Sequence, residues 1–200
     1  MSIEIIECEQ YDEAWWAARN GIPSTSRFKD ILAKGRGISR TKYLRQLAGE
    51  RITGKAAEQY SNAHMERGLA MESEALAMYE FMNNTETQAV GFVRNGTAGS
   101  SPDRLVGPDG ILEIKTAFPH ILIEAIERDV FPPEHLAQCQ GQLWVCHRQW
   151  LDLAIYWPGM PLYIRRIGRD STYIAELKDQ VLAFNSDIGR LVERIEGYQS

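Results

Sequence analysis

Apolar residues recur at helical spacing in two long segments of the chain. Within residues 64–83, Met65, Leu69, Leu76 and Tyr79 step by four, seven and three positions, which draws one stripe along a helix. A second stripe near the C-terminus steps by three and four positions and consists of Ile174, Leu177, Val181, Phe184, Ile188, Leu191 and Ile195. We predict a long helix in each segment and expect the second to pack on a sheet.

The first third of the chain is predicted to be helical. Residues 11–18 have a helix-like pattern, and the Ser-Thr-Ser segment 24–26 offers capping residues for a helix that continues to Leu32. Residues 41–47 form a further helical segment. Between these helices, the Gly-Arg-Gly segment 35–37 is typical of a mobile basic loop.

Short segments bounded by turn residues predict strands in the rest of the chain. The candidate strands are residues 89–94, the two arms of a hairpin within 103–115, residues 151–156 and residues 162–166. The hairpin arms flank Gly-Pro-Asp-Gly at 107–110, which is strong turn chemistry. Pro133 suits the first turn of a helix that runs to about Cys146. This order predicts an α/β or α+β fold with a mixed sheet.

Length and composition are those of a soluble protein with one domain. The chain has 200 residues, 44% of them hydrophobic, and no internal repeat. It lacks an apolar run of the roughly 18 residues that a membrane span requires. The acidic start does not resemble a signal peptide, and the three cysteines lack metal-ligand spacing. We therefore expect reduced thiols in a cytosolic protein.

The net charge counts mildly against binding to nucleic acid, but the distribution of charge does not. The chain carries 22 basic and 27 acidic residues, a net charge of -5, whereas non-specific nucleic-acid binders usually have a basic balance. A local basic patch consists of Lys34, Arg36, Arg40, Lys42, Arg45 and Arg51, with Glu50 as its one acidic neighbour. Such a patch can hold phosphates, although a solvated surface is the commoner explanation.

Two charged residues interrupt the apolar second arm of the hairpin. Because side chains alternate along a strand, Glu113 and Lys115 share one face while Leu112 and Ile114 share the other. Asp103 opens the partner arm, close enough to share a cation with Glu113. Two hard oxygen ligands with the carbonyl of Ile114 nearby suit magnesium. Alone, this Asp-x9-Glu-x-Lys pattern is weak, because a surface Glu–Lys pair beside a turn Asp would look the same.

A third carboxylate lies in an unexpected place. Glu72 falls in the gap of the apolar stripe in 64–83, where an unpaired charge is costly unless it binds a cation. The alternative is a residue at the edge of the stripe that reaches solvent. A metal held by these carboxylates would polarise a phosphoryl oxygen and lower the pKa of a water, while Lys115 oriented that water or neutralised charge. Such a set would suit phosphodiester hydrolysis, although a surface Glu–Lys pair beside a turn Asp is the favoured interpretation of the pattern taken alone.

Four motifs stand in order and at suitable spacing within residues 11–170. They are Trp15 with Arg19-Asn-Gly-Ile-Pro-Ser-Thr-Ser26, then Arg67-Gly-Leu-Ala-Met-Glu72, then Ser101-Pro-Asp103 with Gly110-Ile-Leu-Glu-Ile-Lys115, and finally His135-Leu-Ala-Gln-Cys-Gln-Gly-Gln-Leu-Trp-Val145. Together they resemble the lambda-exonuclease family of phage recombination nucleases, the YqaJ-like branch of the PD-(D/E)xK superfamily. The resemblance implies that superfamily's core: a mixed central sheet flanked by helices, here with a helical N-terminal third.

The resemblance implies a role for each matching residue. The implied catalytic residues are Glu72, Asp103, Glu113, Lys115 and Gln138, and the implied metal ligands are Asp103, Glu113, the backbone carbonyl of Ile114, and Glu72. Lys115 would assist the attacking water, and Gln138 would form a hydrogen bond in the active site. The implied cofactor is Mg²⁺, for which Mn²⁺ would substitute.

The resemblance also implies the substrate and the partners. Arg19 and Ser26 would grip a terminal 5′-phosphate, because a guanidinium forks onto phosphate oxygens and a hydroxyl adds a donor. Family members digest one strand of duplex DNA in the 5′-to-3′ direction, commonly as ring-shaped trimers that work with a single-strand annealing protein in phage recombination. Residues 1–60 would then be a helical, DNA-contacting portion, and residues 61–200 the catalytic core with the C-terminal helix.

The chain departs from the family's pattern at two places, and some alternatives stay open. Arg104 stands where the family usually has glycine, so it becomes a candidate DNA contact, and the Thr-Ala pair 116–117 replaces Cys-Pro. Gln140 and Gln142 neighbour Gln138, which leaves the choice of the active amide open. Two other functions also remain: a structure-specific or restriction-type endonuclease on the same core, and a DNA-binding protein with a spent catalytic centre.

Overall fold

The computed structural model describes residues 3–33, 37–56 and 63–198, and for residues 63–69 it describes the backbone only. The helices are α1 (Glu13–Arg19), α2 (Phe28–Leu32), α3 (Ile38–Thr53), α4 (Ala63–Asn83), α5 (Pro119–Arg128), α6 (Leu136–Val145) and α7 (Ser171–Glu196). The strands are β1 (Ile3–Ile6), β2 (Thr87–Gln88), β3 (Phe92–Asn95), β4 (Ala98–Ser100), β5 (Arg104–Val106), β6 (Gly110–Thr116), β7 (Trp150–Tyr156) and β8 (Tyr163–Gly168). In these ranges no helix has the length and apolarity that crossing a bilayer requires.

The strands form two sheets in the described part of the chain. The larger sheet has the order β2-β5-β6-β7-β8, with β6 and β7 parallel and every other pair antiparallel. The smaller sheet has the order β1-β3-β4 and is antiparallel. A parallel pair requires a long crossover, which α5 and α6 supply between β6 and β7. The predicted mixed α/β fold with a central sheet is confirmed.

Helices cover both faces of the central strands. On one face, Ile111 and Leu153 join the core that α6 and α7 complete with Leu143 and Phe184. On the opposite face, strand residues pack against α4. The predicted C-terminal stripe is confirmed as far as Ile188, since α7 buries Ile174, Leu177, Val181, Phe184 and Ile188. Its last two members are not buried: Leu191 is half-buried and Ile195 is exposed. Burial on both faces explains why β6 and β7 are nearly continuous apolar runs.

A buried polar network fixes α4 on the sheet. Asp152 of β7 is 2% exposed. It accepts a hydrogen bond of 2.6 Å from the Tyr79 hydroxyl of α4 and two bonds of 2.7 Å from the guanidinium of Arg166 on β8. The Arg166 guanidinium lies 3.8 Å from the ring centroid of Trp150, which gives it a cation–π contact as well. The network therefore positions the helix that carries Glu72.

The N-terminal third is not wholly helical, and that prediction was wrong at its start. It begins with β1, in which Ile3 pairs with Asn95 and Ile6 pairs with Phe92 of β3. No local pattern reveals this strand, because its partner lies far along the chain. The strand predicted at 89–94 is shifted to Phe92–Asn95, and α5 and β4 were not predicted at all. The predicted helix at 41–47 extends over Ile38–Thr53.

The basic patch is only partly a free surface. Arg40 forms an ion pair of 2.7 Å with Asp187 of α7, and Arg51 donates to the carbonyl of Gly21 and to Asn185. These two arginines hold α3 against its neighbours. Lys34 and Arg36, with the predicted mobile loop at 35–36, lie outside the described residues.

Candidate active site

Glu113 is the most buried carboxylate of the candidate site. It lies on β6 and is 2% exposed. Among the described residues, Lys115 Nζ and Gln138 Nε2 each lie 2.5 Å from its Oε1, and Gln142 Nε2 lies 2.6 Å from its Oε2. A buried charge is tolerated only when donors replace the lost water, and these three side chains do so.

Helix α6 presents two amides to Glu113. Gln138 and Gln142 are four residues apart, so they lie on the same face of the helix. On another side of the helix, Gly141 lets α6 approach α2 closely, because a Cβ there would lie 2.6 Å from the Phe28 ring. Sequence reasoning named Gln138 and left Gln140 and Gln142 open as alternatives; the structure brings Gln142 to Glu113 together with Gln138.

Asp103 meets the strand between Glu113 and Lys115. It immediately precedes β5, rather than lying in it as predicted, and its Oδ2 accepts a hydrogen bond of 2.6 Å from the backbone N–H of Ile114. Burial and the charges of Glu113 and Glu72 raise the pKa of Asp103 well above its ordinary value, although Lys115 and the Ile114 N–H act in the opposite direction. Asp103 therefore belongs to a group of mutually repelling carboxylates.

Glu72 completes this group from α4. Burial and then the charge of Glu113 raise the pKa of Glu72, while Arg104 and Lys115 oppose the shift. Lys115 stays charged: burial disfavours its cation, but Glu113 and Asp103 outweigh burial and raise the pKa of Lys115 above its ordinary value. The structure thus brings together five of the sequence-predicted residues, namely Glu72, Asp103, Glu113, Lys115 and Gln138.

The donor set suits a hard divalent cation. Within the described residues, no three Asp, Glu, His or Cys side chains stand at metal-binding spacing, and Glu113 is bound by Lys115 and the two amides. Yet Glu113, together with Asp103 and Glu72, whose charges burial and Glu113 disfavour, offers the oxygen ligands that Mg²⁺ prefers. The residues fit the predicted metal.

A second cluster lies beside the carboxylates. Arg19 of α1 stacks over the Trp15 ring at 4.1 Å from its centroid. Arg19 Nη1 lies 3.4 Å from Ser101 Oγ, and Trp15 Nε1 donates to the same oxygen at 2.8 Å. Burial lowers the pKa of Arg19 somewhat. Ser101 was quoted as part of a motif but was not predicted as a binding residue; its position two residues before Asp103 was the available signal.

A glycine turn positions Arg19. Gly21 has φ +67, a left-handed conformation that glycine adopts most readily, and the N–H of Ile22 donates to the carbonyl of Arg19 at 3.0 Å. Helix α3 clamps the turn, because Glu50 accepts from the Gly21 N–H at 2.9 Å and Arg51 donates to the Gly21 carbonyl at 2.8 Å. The turn that follows Arg19 is therefore fixed by two hydrogen bonds with α3.

Ser26 and Arg104 lie at the edges of the site. Ser26 is exposed in the 3-10 turn Thr25–Arg27, with its Oγ 3.3 Å from Ser24 Oγ. In the part of the chain that the structure describes, no hydrogen bond joins Ser26 to Arg19. Arg104 donates to the carbonyl of Asp103 at 2.8 Å and lines a cavity next to Glu72.

Comparison with known proteins gives matches over most of the chain. A family model described as the YqaJ-like viral recombinase domain matches residues 14–149. One similar solved structure is that of the alkaline exonuclease LHK-Exo from Laribacter hongkongensis in complex with dAMP. LHK-Exo shares 34% sequence identity with this chain, and the TM-score is 0.86. That match covers 92% of this chain and 96% of LHK-Exo. No curated protein sequence gives a significant match.

A more distant structure shares the fold. A phage-related exonuclease from Haemophilus somnus 129PT has 14% identity and a TM-score of 0.67, and the match covers 87% of this chain and 96% of that one. The family model matches more than half of the chain, and LHK-Exo exceeds 30% identity over nearly its full length. The chain therefore belongs to the YqaJ-like viral recombinase family, a family of nucleases, and has the PD-(D/E)xK fold that its sequence predicted.

Proposed function

We propose that this protein is a metal-dependent exonuclease that digests one strand of linear double-stranded DNA from its 5′ end. The observation that carries the proposal is the adjacency of two sites. Ser101, in the Arg19 cluster, is two residues from Asp103 in the carboxylate group. Two residues span at most about 7 Å, so an end phosphate and the next phosphate of the same strand can occupy both sites together.

The carboxylates would hold Mg²⁺, or Mn²⁺ in its place. The ligands would be Asp103, Glu113, the carbonyl of Ile114, and Glu72. Bound there, the cation would polarise the phosphoryl group and neutralise the charge that develops on it. Lys115 would orient the attacking water and add a positive charge beside the phosphoryl oxygens. Gln138 and Gln142 hold Glu113 in one orientation through their hydrogen bonds.

The Arg19 cluster would hold the 5′-phosphate. Arg19 and Ser101 supply a guanidinium and a hydroxyl within hydrogen-bond distance of each other, and Ser26 would add a second hydroxyl. Arg104, beside the carboxylates, would contact the DNA backbone. LHK-Exo was solved with dAMP, a deoxynucleoside monophosphate of the kind that stepwise digestion releases, and this supports the same reaction here.

The biological setting proposed is phage-type recombination in the bacterial cytoplasm. Membership of a viral recombinase family supports it. We expect a ring-shaped trimer that encloses DNA and works with a single-strand annealing protein. A ring would reconcile the net charge of -5 with DNA binding, because basic side chains can line the channel while acidic ones face solvent. Light scattering of the purified protein measures the oligomer directly.

The decisive experiment compares DNA ends. We expect rapid Mg²⁺-dependent digestion of a linear duplex with 5′-phosphates, slow digestion with 5′-hydroxyls, and no digestion of a nicked circle whose nick lacks the 5′-phosphate. Arg19→Ala should erase the difference between the two linear ends, and Asp103→Asn should abolish cutting while circular dichroism stays unchanged. Equal rates on both ends in the wild type would favour the endonuclease. Absence of cutting with either metal would favour a spent catalytic centre.

A further inference from the structure

Tyr11 has an unusual conformation for its residue type. It lies between β1 and α1 with φ 76, in the left-handed region that residues other than glycine rarely adopt. Its side chain is 45% exposed although it is aromatic. Strain of this kind persists only where neighbouring contacts impose it, and it is concentrated at functional sites.

Those contacts tie Tyr11 to both clusters of the active site. Its ring centroid lies 5.0 Å from that of Trp15, the residue on which Arg19 stacks. The preceding residue, Gln10, donates from Nε2 to the carbonyls of Val90 at 3.2 Å and Pro102 at 3.0 Å. Pro102 is the residue between Ser101 and Asp103, so the Gln10 side chain ties the segment that carries Tyr11 to the link between the two proposed phosphate sites.

A cavity opens beside the Tyr11 ring. Its volume is about 580 Å³, and Tyr11, Glu72, Arg104 and Leu105 are among the residues that line it. Ligand sites for small molecules typically measure about 300–1,000 Å³, so the cavity can hold a nucleoside. Burial raises the pKa of the Tyr11 hydroxyl, and the charges of Glu72 and Asp103 raise it further, whereas Arg19 and Lys115 lower it. Charges of both clusters thus act on the hydroxyl, which agrees with a ring that lies between them.

We propose that the Tyr11 ring stacks on the base of the 5′-terminal nucleotide, the one that is released. This inference rests on the proposed function, since it assumes that the end phosphate binds at Arg19 and that the cleaved phosphate binds at the carboxylates. The base of the nucleotide between them then lies where the half-exposed ring and the cavity meet. An aromatic ring accepts each of the four bases, because every base has a π-face. Tyr11 thus contributes binding without sequence preference.

Removal of the ring and removal of the base test the same contact. We would measure release of the first nucleotide in single turnover from 5′-phosphorylated duplexes whose terminal nucleotide is either normal or abasic. Because stacking on one base contributes about 1–3 kcal/mol, Tyr11→Ala and Tyr11→Gly should lower kcat/KM on the normal end by about 5- to 100-fold, mostly through KM. Tyr11→Phe keeps the ring and should stay near wild type.

On the abasic end, kcat/KM of the wild type should fall to that of the two variants without the ring. These two variants should have the same kcat/KM on the normal and the abasic end. Tyr11→Gly separates stacking from backbone strain, because glycine adopts this φ without cost. Tyr198→Ala is the matched control, since Tyr198 is 79% exposed beyond the end of α7. Tyr198→Ala should leave kcat/KM unchanged on both the normal and the abasic end.

If Tyr11→Ala and Tyr11→Gly lower kcat/KM equally on normal and abasic ends, the proposal is overturned and the ring is a structural support. An unchanged rate in both variants would overturn it as well. Failure of the proposed function has a different signature: the wild type itself would not distinguish 5′-phosphorylated linear DNA from the other substrates. The two ideas can therefore fail separately.

Discussion

At the scale of single residues, the site depends on how buried charges are satisfied. Glu113 is almost inaccessible, and each of its oxygens has a separate amide donor on α6. Asp103 accepts from a backbone N–H instead, and Glu72 approaches from a different element. Carboxylates from three separate segments of the chain thus meet where burial and the charge of Glu113 disfavour the charges of Asp103 and Glu72, and a bound cation would relieve that repulsion.

Glu72→Gln tests whether that carboxylate belongs to the chemistry. We expect hydrolysis to fall by about 100-fold or more, while the melting temperature in metal-free buffer stays equal or rises, because burial and Glu113 both disfavour the Glu72 charge. Activity and thermal melts are measured on the same preparation. Wild-type turnover together with a raised melting temperature would make Glu72 a structural residue.

Gln142→Leu tests the amide that the sequence did not assign. It leaves Glu113 Oε2 without its donor, so we expect a stability loss of about 1–3 kcal/mol and a large loss of activity per folded molecule. Gln140→Leu is the control on the same helix. Gln140 is also buried, but it bonds the Gly168 carbonyl and the Asp170 N–H, away from Glu113. The Gln140→Leu control should lose stability and keep its activity per folded molecule. If Gln142→Leu and Gln140→Leu have equal activities per folded molecule, Gln142 does not belong to the active site.

At the scale of elements, α4 and the sheet are joined by the network around Asp152. Arg166→Ala leaves a carboxylate that is 2% exposed without its cation, and we expect a loss of about 3 kcal/mol in urea unfolding. Tyr79→Phe removes one neutral donor and should cost about 1 kcal/mol. Arg165→Ala is the matched control: Arg165 pairs with Asp129, which is largely exposed, so its loss should stay below about 1 kcal/mol.

Because this network holds the helix that carries Glu72, its loss has a second readout. Arg166→Ala should raise the Mg²⁺ concentration that half-maximal activity requires, whereas Arg165→Ala should not. A variant that is less stable but keeps the wild-type metal requirement would show that the network supports the fold alone.

At the scale of the whole molecule, metal binding and folding should be coupled. A cation that binds only the folded carboxylate group stabilises it by about 2.7 kcal/mol at 100 times its dissociation constant. For a domain of this size each kcal/mol corresponds to about 2–4 °C. We therefore expect saturating Mg²⁺ to raise the melting temperature by about 5–10 °C. The shift should vanish in Asp103→Asn, and its persistence there would place the metal elsewhere.

Local patterns were sufficient for part of this molecule. Alternation along residues 111–115 predicts that Glu113 and Lys115 share a face, because side-chain direction in a strand depends on the backbone alone. The α7 stripe and the hairpin turn are likewise local. The hairpin pattern grouped Asp103, Glu113 and Lys115 only weakly, and Gln138 joined this group only because the motifs resemble a known family.

The tertiary structure decided the rest. β1 became a strand because β3, far along the chain, offered its edge. Ser101 joined Arg19, and Gln142 joined Glu113, through contacts between residues 82 and 29 positions apart. The sequence by itself determined the elements whose periodicity or turn chemistry is carried by neighbouring residues. It could not determine which distant side chains would meet, because that depends on how the elements pack, and packing depends on the whole chain at once.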